Sequence, residues 1–345
     1  MFMIAILTIK FHWFMIAKKF HSLYNYGDLH LNLVEMKQKI VTIGLIQSKV
    51  SENVEANLAK AEKMIRQAAN KGAQIICLQE LFNIPYIPQK QGVDKNKYSE
   101  MLGGHTTSRM RDLAKELGVV LIVPFYEKTK GGKYFNTAVV FDNKGKQLGA
   151  YHKVHIPHDP GFYEKDYFEQ GRDGYKIFKT KLATFAVLIC YDQWFPEAAR
   201  AARLMGAEII FYPTAIGNIA GYVPPEGHWQ NAWETVMRGH AIANSLPVAA
   251  VNRVGREGHT EFWGQSFICD AFGKVIKRAG AAREEILTAK LDLAINKFIS
   301  DGWGFLRNRR PDTYKILTSG KLVSKSKKLQ NVTHYRDEQK ALEKS

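Results

Sequence analysis

Three side chains capable of acid–base or nucleophilic chemistry each follow a short apolar run. Glu80 ends the run "AQIICLQE", Lys153 lies in "AYHKVHIP", and Cys190 ends "FAVLIC". A cysteine thiol attacks carbonyl carbons once a base takes its proton, and a carboxylate can be that base. An ammonium group can stabilise the oxyanion that forms. If the ends of the three runs converge, they make a site for cleaving an amide bond. Taken singly, each residue also has an ordinary structural interpretation.

Two other cysteines and two histidines are alternative candidates for nucleophile and base. Cys77 and Cys269 lie inside apolar runs, where cysteine behaves as a small hydrophobic residue. Cys190 differs because a helix start with Pro196 comes shortly after it, and a helix N-terminus or a nearby cation favours the thiolate. His152 and His155 are further candidate bases for a cysteine, although both are equally compatible with polar strand positions.

The composition narrows the classes of function. With 345 residues, 46% of them hydrophobic, the chain is long enough to bury a sizeable core. Three cysteines, an odd number, favour a reducing compartment, and we expect a cytoplasmic protein. The sequence has no apolar run of about eighteen residues, no glycine-rich nucleotide loop and no metal-ligand spacing. It therefore predicts a protein without metal, cofactor or membrane span.

The net charge of +16 raises a non-enzyme alternative, a basic protein that binds a polyanion. Much of the positive excess lies in "RNRRPDTYK" and in the C-terminal segment "SGKLVSKSKKLQNVTHYRDEQKALEKS", whereas the central region mixes charges of both signs. No helix-turn-helix, zinc-finger or RNA-binding aromatic motif is present. We therefore expect no nucleic-acid partner.

Strands and helices that must position these residues alternate along the chain from Ile40 onward. Buried strands are predicted for "VTIGLIQ", "AQIICLQE", "VVLIVPFYEK" and "AEIIFYPTAIG", and helices for "NVEANLAKAEKMIRQAANKG", "SRMRDLAKELG", "FPEAARAARLMG" and "HWQNAWETVMRGHAIANS". Hairpins are predicted in "YFNTAVVFDNKGKQLGAYHKVHIP" and "QSFICDAFGKVIKRA". Mixed strands with interleaved helices indicate a layered α/β architecture in one domain.

The sequence divides into three segments. Residues 1–35 are apolar and aromatic but interrupted by lysines, and they differ in character from the rest of the chain. Met36 precedes a basic tripeptide and then a strand-like run, so we expect Met36 to be the native start and residues 1–35 to be an extension that is not part of the native protein. Residues 36–314 form the predicted α/β domain, and residues 315–345 form a basic tail.

The motifs in combination resemble those of the nitrilase superfamily of carbon–nitrogen hydrolases. "LQELF" with Glu80, "YHKVHIP" with Lys153 and "LICYDQWFPE" with Cys190 match its three signatures in order and spacing. The resemblance runs from about Ile40 to Tyr314. It implies a four-layer α-β-β-α sandwich that dimerises into an α-β-β-α-α-β-β-α assembly, with the basic tail packing on the partner subunit. A homo-dimer or higher homo-oligomer is therefore expected.

The resemblance also implies a role for each matching residue. Cys190 would be the nucleophile, Glu80 the general base, and Lys153, with the backbone N–H of Tyr191, the stabiliser of the oxyanion. Glu164, in "GFYEK", matches a second glutamate that positions the substrate and the lysine. A lysine suits this place because one oxygen must be contacted rather than a planar pair of oxygens.

The longest matching stretches, among them "HIPHDPGFYEKDYFEQG", imply a carbamoyl amine as the small-molecule substrate. The implied reaction converts N-carbamoylputrescine and water to putrescine, carbon dioxide and ammonia, a step of polyamine synthesis from agmatine. In "TAIGNIAGYVPPEGHW", however, Ile219 and Gly227 stand where a glutamate and an aspartate are expected. The predicted substrate-binding side chains are Tyr86, Trp194, Glu226 and His228.

Two alternatives remain open at this point. Another carbamoyl or linear amide hydrolase of the same fold, such as a β-ureidopropionase-like enzyme, an N-carbamoyl-amino-acid hydrolase or an ω-amidase, would use the same catalytic residues. Enzymes that bind carbamoyl acids would need an arginine pair for the carboxylate at the far end of the pocket. The non-enzyme alternative becomes a basic polyanion-binding protein on a hydrolase scaffold, and it requires that a catalytic residue be missing.

Overall fold

The computed structural model describes residues 37–319 of the chain. The predicted extension, residues 1–35, lies outside the described residues, and so do residues 320–345 of the predicted tail. The compact unit that begins at Ile40 contains every element described below. Within residues 37–319, no helix has the length and apolar character needed to cross a membrane.

The described residues contain fifteen strands and five α-helices. The strands are β1 (Ile40–Gln47), β2 (Ile75–Leu78), β3 (Val120–Lys128), β4 (Tyr134–Phe141), β5 (Gln147–His152), β6 (Ile177–Lys179), β7 (Thr184–Val187), β8 (Ile209–Pro213), β9 (Gly217–Ile219), β10 (Val248–Val251), β11 (Val254–Glu257), β12 (Thr260–Trp263), β13 (Phe267–Cys269), β14 (Val275–Arg278) and β15 (Glu285–Asp292). The helices are α1 (Val54–Asn70), α2 (His105–Leu117), α3 (Pro196–Leu204), α4 (Trp229–Asn244) and α5 (Ala294–Trp303).

Two six-stranded sheets are built on the same plan. The first has the order β15-β1-β2-β3-β4-β5, and the second has the order β14-β13-β10-β8-β7-β6. In each sheet three neighbouring strands are parallel, β1-β2-β3 in the first and β10-β8-β7 in the second, and antiparallel strands flank them. A small third sheet, β11-β12-β9, is antiparallel.

Both faces of the parallel strands are buried, which explains why their sequences read as continuous apolar runs. In β2, Ile75 and Cys77 belong to the core that the first sheet shares with the second, whereas Ile76 and Leu78 belong to the core under α1 and α2. Helices α3 and α4 contribute apolar side chains to the core of the second sheet. The layers are therefore helices, sheet, sheet and helices, and the predicted α-β-β-α sandwich is confirmed.

Candidate active site

Glu80, Lys153 and Cys190 come together at the ends of three strands. Glu80 follows β2 and Lys153 follows β5, both in the first sheet, and Cys190 follows β7 in the second. Lys153 Nζ donates a 2.9 Å hydrogen bond to Glu80 Oε1. The charges of Glu80 and Lys153 both act on the thiol of Cys190. The site therefore forms where the ends of the two sheets meet.

Glu164 completes a buried charged cluster. It begins a short 3₁₀ helix, Glu164–Asp166, and Lys153 Nζ donates to its Oε1 at 2.9 Å and its Oε2 at 2.6 Å. Tyr86 Oη donates to Glu164 Oε1 at 2.9 Å. Lys153 is 0% exposed and lies between two carboxylates. Removing either carboxylate would leave a buried cation with only one partner, which is costly.

The two carboxylate oxygens of Glu80 differ in their hydrogen bonding. Asn136 Nδ2 donates to Oε1 at 2.6 Å, in addition to the bond from Lys153. Oε2 is buried and has no hydrogen-bond partner among residues 37–319. A buried carboxylate oxygen with no partner is suited to accept a proton from a reacting group. Asn136 was not predicted from the sequence, although it lies in the "YFNTAVV" segment of β4.

The backbone presents Cys190 in an unusual conformation. Cys190 has φ +44°, a left-handed value that non-glycine residues rarely adopt, and it begins the short 3₁₀ helix Cys190–Trp194. The carboxylate of Asp192, fully buried, accepts from Ile189 N at 2.9 Å and from Tyr151 Oη at 2.8 Å. These bonds fix the turn that carries the thiol. Tyr191 is the second residue of this helix, where backbone N–H groups have no partner within the helix.

The two histidines next to Lys153 have other partners. His155 donates from its backbone N to Asp192 Oδ1 at 3.0 Å, and its Nδ1 lies 2.7 Å from the same oxygen. Its ring stacks on Phe195 with centroids 3.6 Å apart. The Nε2 of His152 lies 3.0 Å from Glu127 Oε2. Both rings are thus engaged in structural contacts, whereas the carboxylate of Glu80 acts on the thiol of Cys190.

Burial controls protonation at the site. It raises the pKa of the Cys190 thiol well above its usual value; Glu80 raises it further, and Lys153 only partly opposes this. Lys153 does favour the thiolate, as expected for a nearby cation, but desolvation has the larger effect and keeps the thiol protonated. Burial also raises the pKa of Glu164 to about 7, against the opposing effect of Lys153. A thiol in this state needs a base at the moment of attack.

A cavity of about 550 Å³ opens from the cysteine toward solvent. Its walls include Cys190 and four aromatic side chains, Phe162, Tyr191, Trp194 and Trp229. Three carboxylates also line it: Asp159, Glu164 and Glu226. The lining residues that the structure describes include no lysine and no arginine. Among residues 37–319, no group of three or more His, Cys, Asp or Glu side chains is arranged to hold a metal ion.

The predicted substrate-binding residues do not all lie in this cavity. Trp194 and Glu226 line it, and Glu226 Oε1 accepts a 2.6 Å hydrogen bond from Trp229 Nε1. Tyr86 is fully buried and contacts Glu164 instead. His228 lines a neighbouring cavity of about 270 Å³ rather than the one that holds Cys190.

Asp159 is the one of these three carboxylates that was not predicted from the sequence. It begins a tight turn in which Phe162 N donates to Asp159 O at 2.8 Å. Ile219 packs against this turn, since a Cβ added at Gly161 would lie 3.0 Å from Ile219 Cδ1. Position 219, where a glutamate was expected, is thus apolar, and the turn that begins at Asp159 places a carboxylate in the cavity wall instead.

Residues 40–295 match the carbon–nitrogen hydrolase family model. This match extends over most of the chain. The chain belongs to the carbon–nitrogen hydrolase family.

Relatives of this carbon–nitrogen hydrolase agree with that placement. It is 44% identical to the N-carbamoylputrescine amidase of Solanum tuberosum over 293 residues, which covers 81% of the chain and 96% of the relative. It is 39% identical to the citrullinase of Francisella tularensis subsp. tularensis over 282 residues, or 79% and 96% of the two chains. The crystal structure of a carbon–nitrogen hydrolase from Helicobacter pylori G27 matches with a TM-score of 0.78 and 38% identity, covering 82% of this chain and all of that one.

Proposed function

We propose that the chain hydrolyses N-carbamoylputrescine to putrescine, carbon dioxide and ammonia, as a step of polyamine synthesis from agmatine. The reactive group is a ureido carbon, and the distal group of the substrate is an aliphatic ammonium. The proposal requires a nucleophile at the inner end of the cavity and negative charge at its outer end.

The observation that carries the proposal is the charge of the cavity wall. Asp159 and Glu226 line the cavity that leads to Cys190, and its described lining includes no cationic side chain. Carboxylates attract an ammonium, and the rings of Trp194 and Trp229 add favourable cation–π contacts. A substrate with a distal carboxylate would meet like charges there. The wall therefore favours a carbamoyl amine over a carbamoyl acid.

In the first step, Cys190 Sγ attacks the ureido carbon while Glu80 takes the thiol proton. The tetrahedral oxyanion forms beside the Lys153 ammonium and the backbone N–H of Tyr191. Collapse of the intermediate breaks the bond to the substituted nitrogen, and the proton held by Glu80 passes to that nitrogen. Putrescine leaves, and a carbamoyl thioester remains on Cys190.

In the second step, Glu80 removes a proton from water as the water oxygen attacks the thioester carbon. The C–S bond breaks, the proton returns to the sulfur, and carbamic acid is released. Carbamic acid decomposes to carbon dioxide and ammonia. Each turnover consumes one water molecule and leaves the enzyme unchanged, with Cys190 as nucleophile, Glu80 as base and Lys153 beside the oxyanion.

The similarity to a citrullinase supports a second candidate substrate. Citrulline carries the same ureido group at the end of an aliphatic chain, but its distal end holds a carboxylate beside the ammonium. The acidic cavity wall provides attraction for the ammonium and repulsion for the carboxylate. We therefore rank citrulline below N-carbamoylputrescine.

Ammonia release from a panel of matched substrates tests the proposal. N-carbamoylputrescine, citrulline and N-carbamoyl-β-alanine are compared at equal concentrations, with Cys190→Ala as the control variant. We expect the highest kcat/KM with N-carbamoylputrescine and no turnover by the variant. A preference for N-carbamoyl-β-alanine would contradict the substrate assignment, and full activity of Cys190→Ala would contradict the mechanism.

A further inference from the structure

Arg253 is a fully buried cation outside the set of residues with a proposed chemical role. It lies in the second sheet's half of the molecule, between β10 and β11. Its Nη2 donates to three backbone carbonyls of the segment that begins at Glu80: Glu80 O at 3.1 Å, Leu81 O at 2.7 Å and Ile84 O at 3.1 Å. The guanidinium group of Arg253 thus binds three carbonyl oxygens in the first part of the segment 80–86.

The same guanidinium is paired with Glu257, at the end of β11. Arg253 Nη1 donates to Glu257 Oε1 at 2.7 Å and to Oε2 at 2.9 Å, and the ring of Phe262 lies 5.3 Å from the guanidinium carbon. Glu257 Oε2 in turn accepts from Tyr86 N at 2.8 Å. The ion pair therefore holds the segment at both ends, at Glu80 and at Tyr86.

These hydrogen bonds form a closed ring that includes Glu80, Lys153 and Glu164. From Arg253 the chain of bonds runs through Glu257 to Tyr86 N, from Tyr86 Oη to Glu164, from Glu164 to Lys153, and from Lys153 back to Glu80. Leu81, directly after Glu80, has φ +49°, a strained value that needs support from its surroundings. The three carbonyl contacts of Arg253 provide that support.

We propose that the Arg253–Glu257 pair is a positioning unit for the reaction, which fixes Glu80 and Glu164 relative to the thiol. The proposal rests on the assignment of Glu80 as the base. Only an arginine can contact three carbonyls and a carboxylate together, because its planar guanidinium carries five N–H donors, whereas a lysine has three on one nitrogen. Loss of the pair lets the turn at Leu81 relax and moves the carboxylate of Glu80.

Arg253→Lys and Glu257→Gln test the proposal, with Arg256→Lys as the matched control. Arg256 lies in the same hairpin but is exposed, and within residues 37–319 its side chain donates a hydrogen bond to Gly258 O alone. For Arg253→Lys we expect kcat to fall about 100-fold, as a displacement of about 1 Å would produce, while KM changes little. Glu257→Gln keeps the shape and the acceptor for Tyr86 N, so we expect a smaller fall in kcat. Arg256→Lys should behave as the wild type.

Alkylation of Cys190 by iodoacetamide provides a readout that does not depend on the substrate. Cys77 and Cys269 are fully buried, and peptide mass spectrometry separates their labelling from that of Cys190. Because Cys190 needs a base, displacement of Glu80 should slow its alkylation in folded Arg253→Lys protein.

The outcomes separate positioning from a purely structural role. Slower alkylation and lower kcat in protein that melts as a folded domain support the proposal. A lower melting temperature with unchanged kcat and alkylation overturns it. If Arg253→Lys does not fold, Glu257→Gln decides the question by the same two readouts. If the wild type hydrolyses no substrate of the panel, the proposed function fails, and alkylation still tests the positioning unit.

Discussion

The two ends of the active-site cavity are built differently. At the inner end Glu80, Lys153 and Glu164 are all 0% exposed, and each is held by side chains from other strands or loops. At the outer end Asp159 is half-buried in a turn and Glu226 is exposed in the loop before α4. The residues proposed to react are thus buried and fixed by hydrogen bonds, whereas a turn and a loop carry the carboxylates proposed to bind the distal ammonium. Changes at the inner end should therefore alter kcat, and changes at the outer end should alter KM and substrate preference.

Replacement of the proposed base should have the largest effect. Glu80→Gln keeps the shape of the side chain and removes its ability to accept a proton, so we expect kcat to fall by about 1,000-fold or more with KM little changed. Glu127→Gln is the matched control, because Glu127 is a buried carboxylate of the same sheet that binds Thr137 and His152 instead. Equal losses in the two variants would show that the effect is structural rather than catalytic.

At the outer end, Asp159→Asn should raise KM for N-carbamoylputrescine about tenfold to a hundredfold and leave kcat nearly unchanged, because a charge-assisted contact to the ammonium is lost. Butylurea, which has the same ureido group and no ammonium, serves as the comparison substrate. Its kcat/KM should be the same in wild type and variant. A loss of kcat with both substrates would place Asp159 at the inner end.

The pH dependence should report the cluster around Glu164. Burial raises the pKa of Glu164 to about 7, so this carboxyl takes up a proton as the pH falls through that value. Lys153 then loses a charged partner, and we expect kcat/KM to fall on the acid side of about pH 7. The hydrogen bond from Tyr86 lowers the pKa of Glu164, so Tyr86→Phe should move this fall to higher pH. Rates measured from about pH 5 to about pH 9 check this, and an unshifted profile would contradict it.

The smallest effect is expected for Glu226→Gln. Glu226 is exposed and binds Trp229 through a hydrogen bond that the amide oxygen of glutamine can preserve. A solvent-exposed charge contributes little, so KM for N-carbamoylputrescine should rise only about twofold to threefold, with the difference reduced by added salt. A KM increase as large as that of Asp159→Asn would mean that the outer end binds the ammonium at the loop rather than at the turn.

Part of the fold and of the candidate site could be predicted from the sequence, because these features depend on short stretches of neighbouring residues. Glu80, Lys153 and Cys190 each stand at the end of an apolar run, and the parallel strands are buried on both faces, so the runs were easy to read. The helices α1 to α4 were predicted within a few residues of their observed ends. The family and the layered fold followed from these local features.

The remaining features depend on contacts between distant segments. Asn136 reaches Glu80 across 56 residues and Asp192 reaches Tyr151 across 41, and nothing in their local sequence distinguishes them from other polar residues. Strand β9 has only three residues, and β15 leads directly into α5 without a glycine or proline to separate them. The binding role predicted for Tyr86 rested on its residue type, and its burial against Glu164 became visible only in three dimensions.

The pairing of β1 with β15 has a consequence for synthesis of the chain. All eight residues of β1, from Ile40 to Gln47, pair with β15, and the side chain of Gln47 reaches the carbonyl of Gly280, 233 residues later. Until those residues leave the ribosome, one edge of the first sheet has no partner strand. The nascent protein therefore exposes an apolar edge through most of translation, and chaperone dependence or aggregation should be greatest for chains truncated just before Glu285.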